Sequence, residues 1–318
     1  MDNKNKKKTS LEVSSGPKYV MAWNLNSLCN FRCEYCFCSK ESLSKEHPDV
    51  GKYSPGHIAG CFDNTGKTWR IHMSGGEPFV YPDYVTLTRL LTKNHYISIN
   101  TNLSTGNVFQ FGDAVPPGKV LTMNAGIHIL EREKKKDGVS KYIEKFLYLQ
   151  DKGFNIRLEY VAYPPLFSRL KKDMAFFASQ GVKIVNLKMF RGTYNGKVYP
   201  HSYTEEEKEI ISQKALDTRE MEIMNENVNF YRRLCSAGET SFNMDPSGNL
   251  FRCLTVKECY GNFFSSKFRM DKKPRPCPAK KCGCPYEGIR LIKDKKASPV
   301  SLFLGKGIRK IKKYLGKV

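Results

Sequence analysis

One short segment contains three cysteines, in the run Cys29-Asn30-Phe31-Arg32-Cys33-Glu34-Tyr35-Cys36. Three thiolates on one loop suit a soft metal centre, and a cubane iron–sulfur cluster held by three cysteines keeps one iron open to a small molecule. Zinc sites and redox dithiols use similar C-x-x-C pairs, so the spacing alone leaves those alternatives open. Any fold of this chain has to present three soft ligands on a short loop.

A second motif follows about forty residues later, in the run Ile71-His72-Met73-Ser74-Gly75-Gly76-Glu77-Pro78. The paired glycines allow the backbone to approach a ligand closely, and the Glu77 carboxylate can accept a hydrogen bond from an ammonium group. A Gly-Gly-Glu-Pro tetrapeptide after a strand is also an ordinary turn. Together, and in this order, the two motifs resemble those of the radical S-adenosylmethionine (radical SAM) superfamily.

The resemblance implies a chemistry and a set of ligands. In that family a 4Fe-4S cluster held by three cysteines, here Cys29, Cys33 and Cys36, binds the amino and carboxylate groups of S-adenosylmethionine (SAM) at its open iron. An electron, supplied by a donor such as flavodoxin or ferredoxin, cleaves SAM to a 5′-deoxyadenosyl radical that abstracts hydrogen from a substrate. The SAM-binding residues that the resemblance implies are Tyr35, Gly75, Gly76, Glu77, Asn100 and Asn102.

Apolar runs that alternate with helical patterns predict repeated βαβ units and a parallel sheet. The predicted strands are Tyr19–Leu25, Trp69–Met73, Ile97–Asn100, Val120–Ile129, Asn155–Ala162 and Val182–Met189. The predicted helices between them are Asp83–Lys93, Lys141–Lys152 and Phe167–Gln180. This α/β pattern resembles the partial (β/α)6 barrel, a TIM-like fold, of radical SAM cores.

In such a fold the loops after the strands converge on a pocket. Four later polar residues lie in or just after strands, from where they can reach the pocket: Asn124, His128, Glu159 and Arg191. Each can equally be a polar residue at a strand end whose hydrogen bonds are made within the protein. Cys38 follows the triad closely; a fourth ligand would fill the open iron, so we interpret it as a structural thiol. Cys61, before the second strand, is interpreted as a small buried residue.

The cysteine content rises again towards the C-terminus. Thr204 and Glu207 form a capping-box pattern, which predicts a long helix over 204–227 that closes the core. Behind it, Cys235, Gly248 and Cys253 resemble the opening of a SPASM or Twitch extension, in which thiolates bind an auxiliary cluster. Four of five cysteines are its candidate ligands: Cys235, Cys253, Cys277, Cys282 and Cys284. Cys259 is interpreted as a bystander, and zinc is the alternative metal.

Length and composition give the domain plan. We divide the 318 residues into a basic tail (1–17), a radical SAM core (18–227), a small Cys-rich auxiliary-cluster domain (228–290) and a basic amphipathic tail (291–318). The Cys-rich domain has too few apolar residues to fold alone. No apolar run is long enough to span a bilayer, and the N-terminus lacks a signal peptide. We therefore expect a cytoplasmic protein, in which a content of eleven cysteines indicates metal or cluster ligation rather than a disulfide scaffold.

The formal charge of +22 and the C-terminal tail bear on partners. The tail repeats apolar residues at helical spacing among lysines, a pattern that suits either an anionic membrane surface or the protein's own surface. A precursor peptide, a sugar, and a lipid-linked or phosphorylated small molecule all remain candidate substrates, for oxidation, epimerisation or bond formation. The competing class is a non-enzymatic zinc protein that binds nucleic acid through its basic surface; it leaves the Gly75–Pro78 motif unexplained.

Overall fold

Six parallel strands follow one another in chain order through a ten-stranded sheet. The computed structural model describes residues 16–215 and 229–282. The six strands are β1 (Tyr19–Asn24), β2 (Trp69–Ser74), β3 (Tyr96–Thr101), β4 (Val120–Gly126), β5 (Ile156–Ala162) and β6 (Val185–Met189). Each pairs in parallel with the next, so all of their carboxyl ends lie along one edge of the sheet.

Every crossover between these strands contains at least one helix. The helices are α1 (Pro55–Asp63), α2 (Tyr84–Leu91), α3 (Val108–Ala114), α4 (Ile129–Glu133), α5 (Gly138–Asp151) and α6 (Phe167–Ser179), and α7 (Glu205–Lys214) follows the last strand. A short hairpin of β7 (Gly192–Tyr194) and β8 (Lys197–Tyr199) precedes α7. The predicted α/β class with six βα units is confirmed.

Two of the predicted boundaries that differ from the structure have a clear local cause. The strand predicted over Val120–Ile129 ends at Gly126, because His128 adopts a left-handed conformation (φ 46°) that turns the chain into α4. The capping box at Thr204 is present, with the Glu207 amide donating to the threonine hydroxyl. The helix it begins was predicted to reach Asn227 but ends at Lys214, since Ala215 is extended; residues 216–228 lie outside the described part of the chain.

The C-terminal strands continue the same sheet. They are β9 (Leu234–Cys235), β10 (Ser241–Met244), β11 (Asn249–Phe251), β12 (Cys259–Asn262), β13 (Lys267–Phe268) and β14 (Arg275–Pro276). β10 pairs in parallel with β1, and β11, β12 and β13 follow as antiparallel strands, while β9 and β14 form a separate two-stranded ribbon. The sheet is therefore open, with β13 and β6 at its edges.

Aromatic side chains bind these added strands to the core. Phe264 lies 5.6 Å from Trp23 and Phe263 lies 4.6 Å from Phe62, measured between ring centroids. All four side chains are almost fully buried. The region that has too few apolar residues for a fold of its own thus shares the hydrophobic core of the βα units.

The two faces of the central sheet differ in chemistry. In β3, Ile97 and Ile99 are completely buried in the main core, whereas Asn100, on the opposite face, is exposed. Side chains alternate between faces along a strand, so the second face is polar, and it is open to solvent at Asn100. None of the described helices is long and apolar enough to cross a membrane. Residues 1–15 and the predicted tail 291–318 lie outside the described residues.

Candidate functional site at the carboxyl edge of the parallel strands

The cysteine triad lies on the loop after β1. The Cys29 amide donates to the Leu43 carbonyl (3.0 Å) and the Cys36 amide to the Cys33 carbonyl (3.1 Å). The Arg32 guanidinium closes the loop by donating to the Cys29 carbonyl (2.5 Å) and to the Ser44 hydroxyl (2.9 Å). All three cysteines are half-buried. The loop thus holds three thiols in a fixed turn at the edge of the sheet.

The glycine pair packs against this loop. The Gly76 amide donates to the Asn26 carbonyl (3.0 Å) and the Glu77 amide to the Leu28 carbonyl (2.9 Å), so parallel pairing continues beyond the ends of β1 and β2. A side chain at Gly76 would collide with the Leu28 carbonyl, and Gly75 has a φ of +139°. The close backbone approach expected of these glycines is therefore to the chain's own Cys loop.

Glu77 joins the turn to the end of β3. Its carboxylate accepts hydrogen bonds from the Phe79 amide (3.0 Å), the Thr101 hydroxyl (2.6 Å) and the Asn102 amide (2.6 Å). The side chain is only 1% exposed, and burial raises the pKa of the carboxyl although these hydrogen bonds and the Arg132 charge oppose the shift. Both carboxylate oxygens are engaged within the protein.

The structure separates the two candidate asparagines at the end of β3. Asn102 contacts the Cys loop, with its Nδ2 3.0 Å from the Asn30 Oδ1 and 3.9 Å from the Cys29 Sγ. Asn100 lies on the open polar face, where its Oδ1 accepts from the Asn124 side chain (2.6 Å). Only Asn102 is placed beside the thiols.

Tyr35 is held beside His128. The tyrosine hydroxyl lies 3.0 Å from the His128 Nδ1, and the two rings stack at 5.9 Å. Burial lowers the pKa of His128 to about 4, so at neutral pH the imidazole is neutral and its Nδ1 can accept the hydroxyl proton of Tyr35. A side chain at Gly126 would collide with the imidazole, which explains glycine there. The ring centroid of Tyr163 lies 5.3 Å from that of Tyr35.

Two residues at the site were missed by the sequence analysis. Arg132 is 4% exposed and donates to the Ile127 and Asn102 carbonyls, and its guanidinium lies 4.9 Å from the Phe31 ring. Burial lowers its pKa to about 10. Glu131 accepts from the Arg32 amide (3.2 Å). Both belong to a run of alternating charges that is typical of a solvated helix face, so the sequence carried no signal for them.

The thiols themselves fit a soft metal cluster. Burial raises the pKa of Cys33 to about 12 and also raises that of Cys29, while a hydrogen bond from Cys38 lowers the pKa of Cys36 to about 6. Among the described side chains, no three His, Cys, Asp or Glu residues converge as ligands of one ion would. A cubane binds its cysteines as thiolates on separate irons, and three cysteines on one loop are a donor set of that kind.

The C-terminal cysteines are brought together by backbone pairing. Cys235 in β9 is paired with Arg275 in β14, and the Cys277 amide donates to the Arg233 carbonyl (2.8 Å). Cys259 is exposed on β12, where it pairs with Phe251 of β11. Cys282 lies near the end of the described chain, and Cys284 lies outside it. Two of the five candidate ligands are thus adjacent in the β9–β14 ribbon.

Arg252 adds the segment of Cys253 to this group. Its guanidinium is 3% exposed and donates to the carbonyls of Ala237 (3.2 Å), Arg275 (3.1 Å) and Pro276 (3.1 Å). These carbonyls flank Cys235 and Cys277 in the sequence. One buried side chain therefore fixes the positions of three cysteine-bearing segments relative to each other.

Comparison with known proteins agrees with this geometry. Residues 23–167 match the family model of the Radical SAM superfamily. This match covers the end of β1, the Cys loop, the Gly75–Pro78 turn and strands β2 to β5. Residues 23–167 thus form a Radical SAM domain, of a superfamily whose members are enzymes. No curated protein matches the sequence.

Solved structures share the fold at low identity. anSMEcpe with bound AdoMet has a TM-score of 0.54 at 16% identity, over 78% of this chain and 75% of that one. SuiB from Streptococcus suis bound to S-adenosylmethionine has a TM-score of 0.56 at 14% identity, over 79% of this chain and 64% of SuiB. Other structures contain anSMEcpe with a Cp18Cys peptide and SuiB with the precursor peptide SuiA. At such identities these similarities show the fold alone.

Proposed function

We propose that the chain cleaves SAM reductively at a 4Fe-4S cluster held by Cys29, Cys33 and Cys36. The observation that carries the proposal is the union of the three motif segments, because the Gly75–Glu77 turn pairs with the Cys loop and Glu77 hydrogen-bonds to Asn102 at the end of β3. An ordinary turn of unrelated function would not be expected to pair with the loop that carries the thiols.

When bound, the cluster would pass one electron to SAM, which would give methionine and a 5′-deoxyadenosyl radical that takes a hydrogen atom from the substrate. The protein's own part is to position the groups. Asn102 presents an N–H to the Cys29 sulfur, and hydrogen bonds to sulfur tune such clusters. Tyr35, aligned by His128 and Tyr163, offers an aromatic face beside the loop for the adenine.

We propose a peptide as the substrate. The fold is shared with anSMEcpe and SuiB, each of which has been solved with a peptide. The open face of the central sheet is polar and ends at the Cys loop, so an extended chain laid across it would bring a residue to the radical. An electron donor such as flavodoxin or ferredoxin would approach from solvent, where Phe37, next to Cys36, is 91% exposed.

We further propose an auxiliary iron–sulfur cluster in the C-terminal region. Cys235, Cys253 and Cys277 lie on segments that Arg252 ties together, and Cys282 or Cys284 would complete four ligands. An auxiliary cluster would accept an electron from a substrate radical or anchor the substrate. Zinc is the alternative metal, and a cytoplasmic location with peripheral membrane contact through 291–318 remains our expectation.

Replacement of Cys33 tests the proposal. We expect Cys33→Ala, purified without oxygen and reduced with dithionite, to form no 5′-deoxyadenosine from SAM, because one iron loses its thiolate. Iron and sulfide should fall by about four atoms each, the content of one cubane. Cys259→Ala is the matched control, since Cys259 is exposed and is a candidate ligand of neither cluster, and it should keep both the iron content and the cleavage.

Two outcomes would contradict the proposal. Undiminished 5′-deoxyadenosine formation by Cys33→Ala would show that the triad does not hold the reactive cluster. Zinc without sulfide in the wild-type protein would favour the non-enzymatic zinc class instead. Wild-type protein with about eight irons supports two cubanes, and about four irons that are lost in Cys33→Ala support the triad cluster alone.

A further inference from the structure

Polar side chains form a continuous row across β3, β4, β5 and β6. The Asn124 Nδ2 donates to the Asn100 Oδ1 (2.6 Å), and the Arg157 Nε donates to the Asn124 Oδ1 (2.7 Å). The same Nε lies 2.8 Å from the Glu159 Oε1, and the Glu159 Oε2 accepts from the Asn186 Nδ2 (2.8 Å). Each neighbour in the row comes from the same or the adjacent strand.

The row lies on the open face of the sheet. Ile99 and Leu158, which alternate with its members, are completely buried in the main core on the opposite face. Asn100 is exposed, and Asn124 and Arg157 are half-buried. Gly126 shares this face with Asn124 by alternation, and the His128 ring lies against Gly126. The row is therefore below Tyr35 and the Cys loop, where a substrate would rest.

The row orients Arg157 through its Nε and leaves its terminal nitrogens available. Its Nε is held by Asn124 and Glu159, and the terminal Nη1 and Nη2 make no hydrogen bond to any residue in 16–215 or 229–282. The side chain keeps 27% of its surface exposed. A guanidinium with both terminal nitrogens available binds a carboxylate or phosphate through two parallel hydrogen bonds.

The charges around Arg157 favour an anionic ligand. The Glu159 carboxylate is 8% exposed and already paired with the Nε and with Asn186. Lys188 shares the open face with Asn186 by alternation along β6 and adds a positive charge. We propose that Arg157 binds an oxyanion group of the substrate, a carboxylate or a phosphate, on the open face of the sheet. The inference rests on the proposed function, because it names what that substrate carries.

Small anions test this directly on the cluster-loaded protein. Inorganic phosphate and succinate would be titrated separately by calorimetry in about 0.3 M NaCl, where screening weakens binding to the basic surface at large. We expect Arg157→Gln to lower the affinity for at least one of the two anions about tenfold, which corresponds to the loss of one charged hydrogen bond. Arg157→Lys keeps the positive charge beside Glu159 and should lose less affinity than Arg157→Gln. Arg89→Gln, at an exposed arginine on α2, should bind as the wild type does.

The outcomes separate this inference from the proposed function. Equal affinities in wild type and Arg157→Gln, equal losses in Arg157→Gln and Arg89→Gln, or no binding of either anion would each overturn the assignment. A loss for phosphate alone or succinate alone supports it and identifies the group. SAM cleavage by the wild type is measured in parallel: cleavage without anion binding defeats only the inference, and anion binding without cleavage defeats only the proposed function.

Discussion

Two buried arginines connect segments that are far apart in the sequence. Arg132 bonds to the carbonyls at Ile127 and Asn102, and Arg252 to those at Ala237, Arg275 and Pro276. A guanidinium carries five donors in a rigid plane, so one side chain can satisfy several carbonyls that no strand pairs. Each arginine lies next to a group of cysteines and keeps its loops in register.

His95 gives the fold a dependence on pH. Its Nδ1 accepts from the Trp69 amide (3.4 Å) and its Nε2 lies 3.3 Å from the Asp63 carboxylate, with the ring 2% exposed. Burial lowers the pKa of His95 below 6.5, although Asp63 opposes the shift. As the pH falls below 6.5, His95 therefore binds a proton in the unfolded chain but not in the folded chain. The free energy of unfolding then decreases. We expect the wild type to lose more free energy of unfolding than His95→Gln between pH 7 and pH 5.

The measurement is urea unfolding at several pH values, followed by tryptophan fluorescence. His201→Gln provides the matched control, because His201 is exposed. Its pH dependence should follow that of the wild type. If His95→Gln follows the wild type as well, the buried histidine does not set the pH dependence.

At the scale of elements, Glu77 connects the end of β2 to the end of β3. Glu77→Gln keeps the shape but places an NH2 group where the Asn102 amide or the Phe79 amide needs an acceptor. An unmatched buried donor costs about 1–3 kcal/mol. We expect Glu77→Gln to lower the free energy of unfolding by that amount, measured by urea unfolding. Glu206→Gln, on an exposed first turn of α7, should change it little.

The same variant distinguishes a structural role from direct contact with SAM. The Glu77 carboxylate is enclosed by the protein, so any loss of SAM binding should accompany the loss of stability. Unchanged unfolding together with weakened SAM binding would show that Glu77 contacts the ligand instead.

The strands were predictable because each buries an apolar face within a few residues. The predicted strand Tyr19–Leu25 differs from β1 by one residue. The end of β4 was not predictable, since Ile127 and Ile129 continue the apolar run while the backbone at His128 turns. The positions of Asn102 and Arg252 depend on contacts between distant segments, which no local pattern encodes. The motifs thus indicated the candidate site, and long-range packing determined which side chains meet there.

At the scale of the whole molecule, the N-terminal and C-terminal parts share one sheet and one core. β10 pairs with β1 along Val20 to Trp23. Phe263 packs on Phe62 and also lies 6.0 Å from Trp69, so residues about two hundred positions apart are in contact. Two parts joined in this way should unfold together rather than as separate domains.

Phe263→Ala tests this shared core. Phe263 is completely buried, and truncation of a buried phenylalanine to alanine costs about 3–5 kcal/mol. We expect that loss in a single transition, with tryptophan fluorescence and far-ultraviolet circular dichroism changing at the same urea concentration. Fluorescence reports on this region because both tryptophans of the chain, Trp23 and Trp69, are buried there. Phe176→Ala, at a side chain 44% exposed on α6, should cost far less. Two separate transitions, or a Phe263→Ala protein as stable as the wild type, would mean that the C-terminal strands fold independently of the βα core.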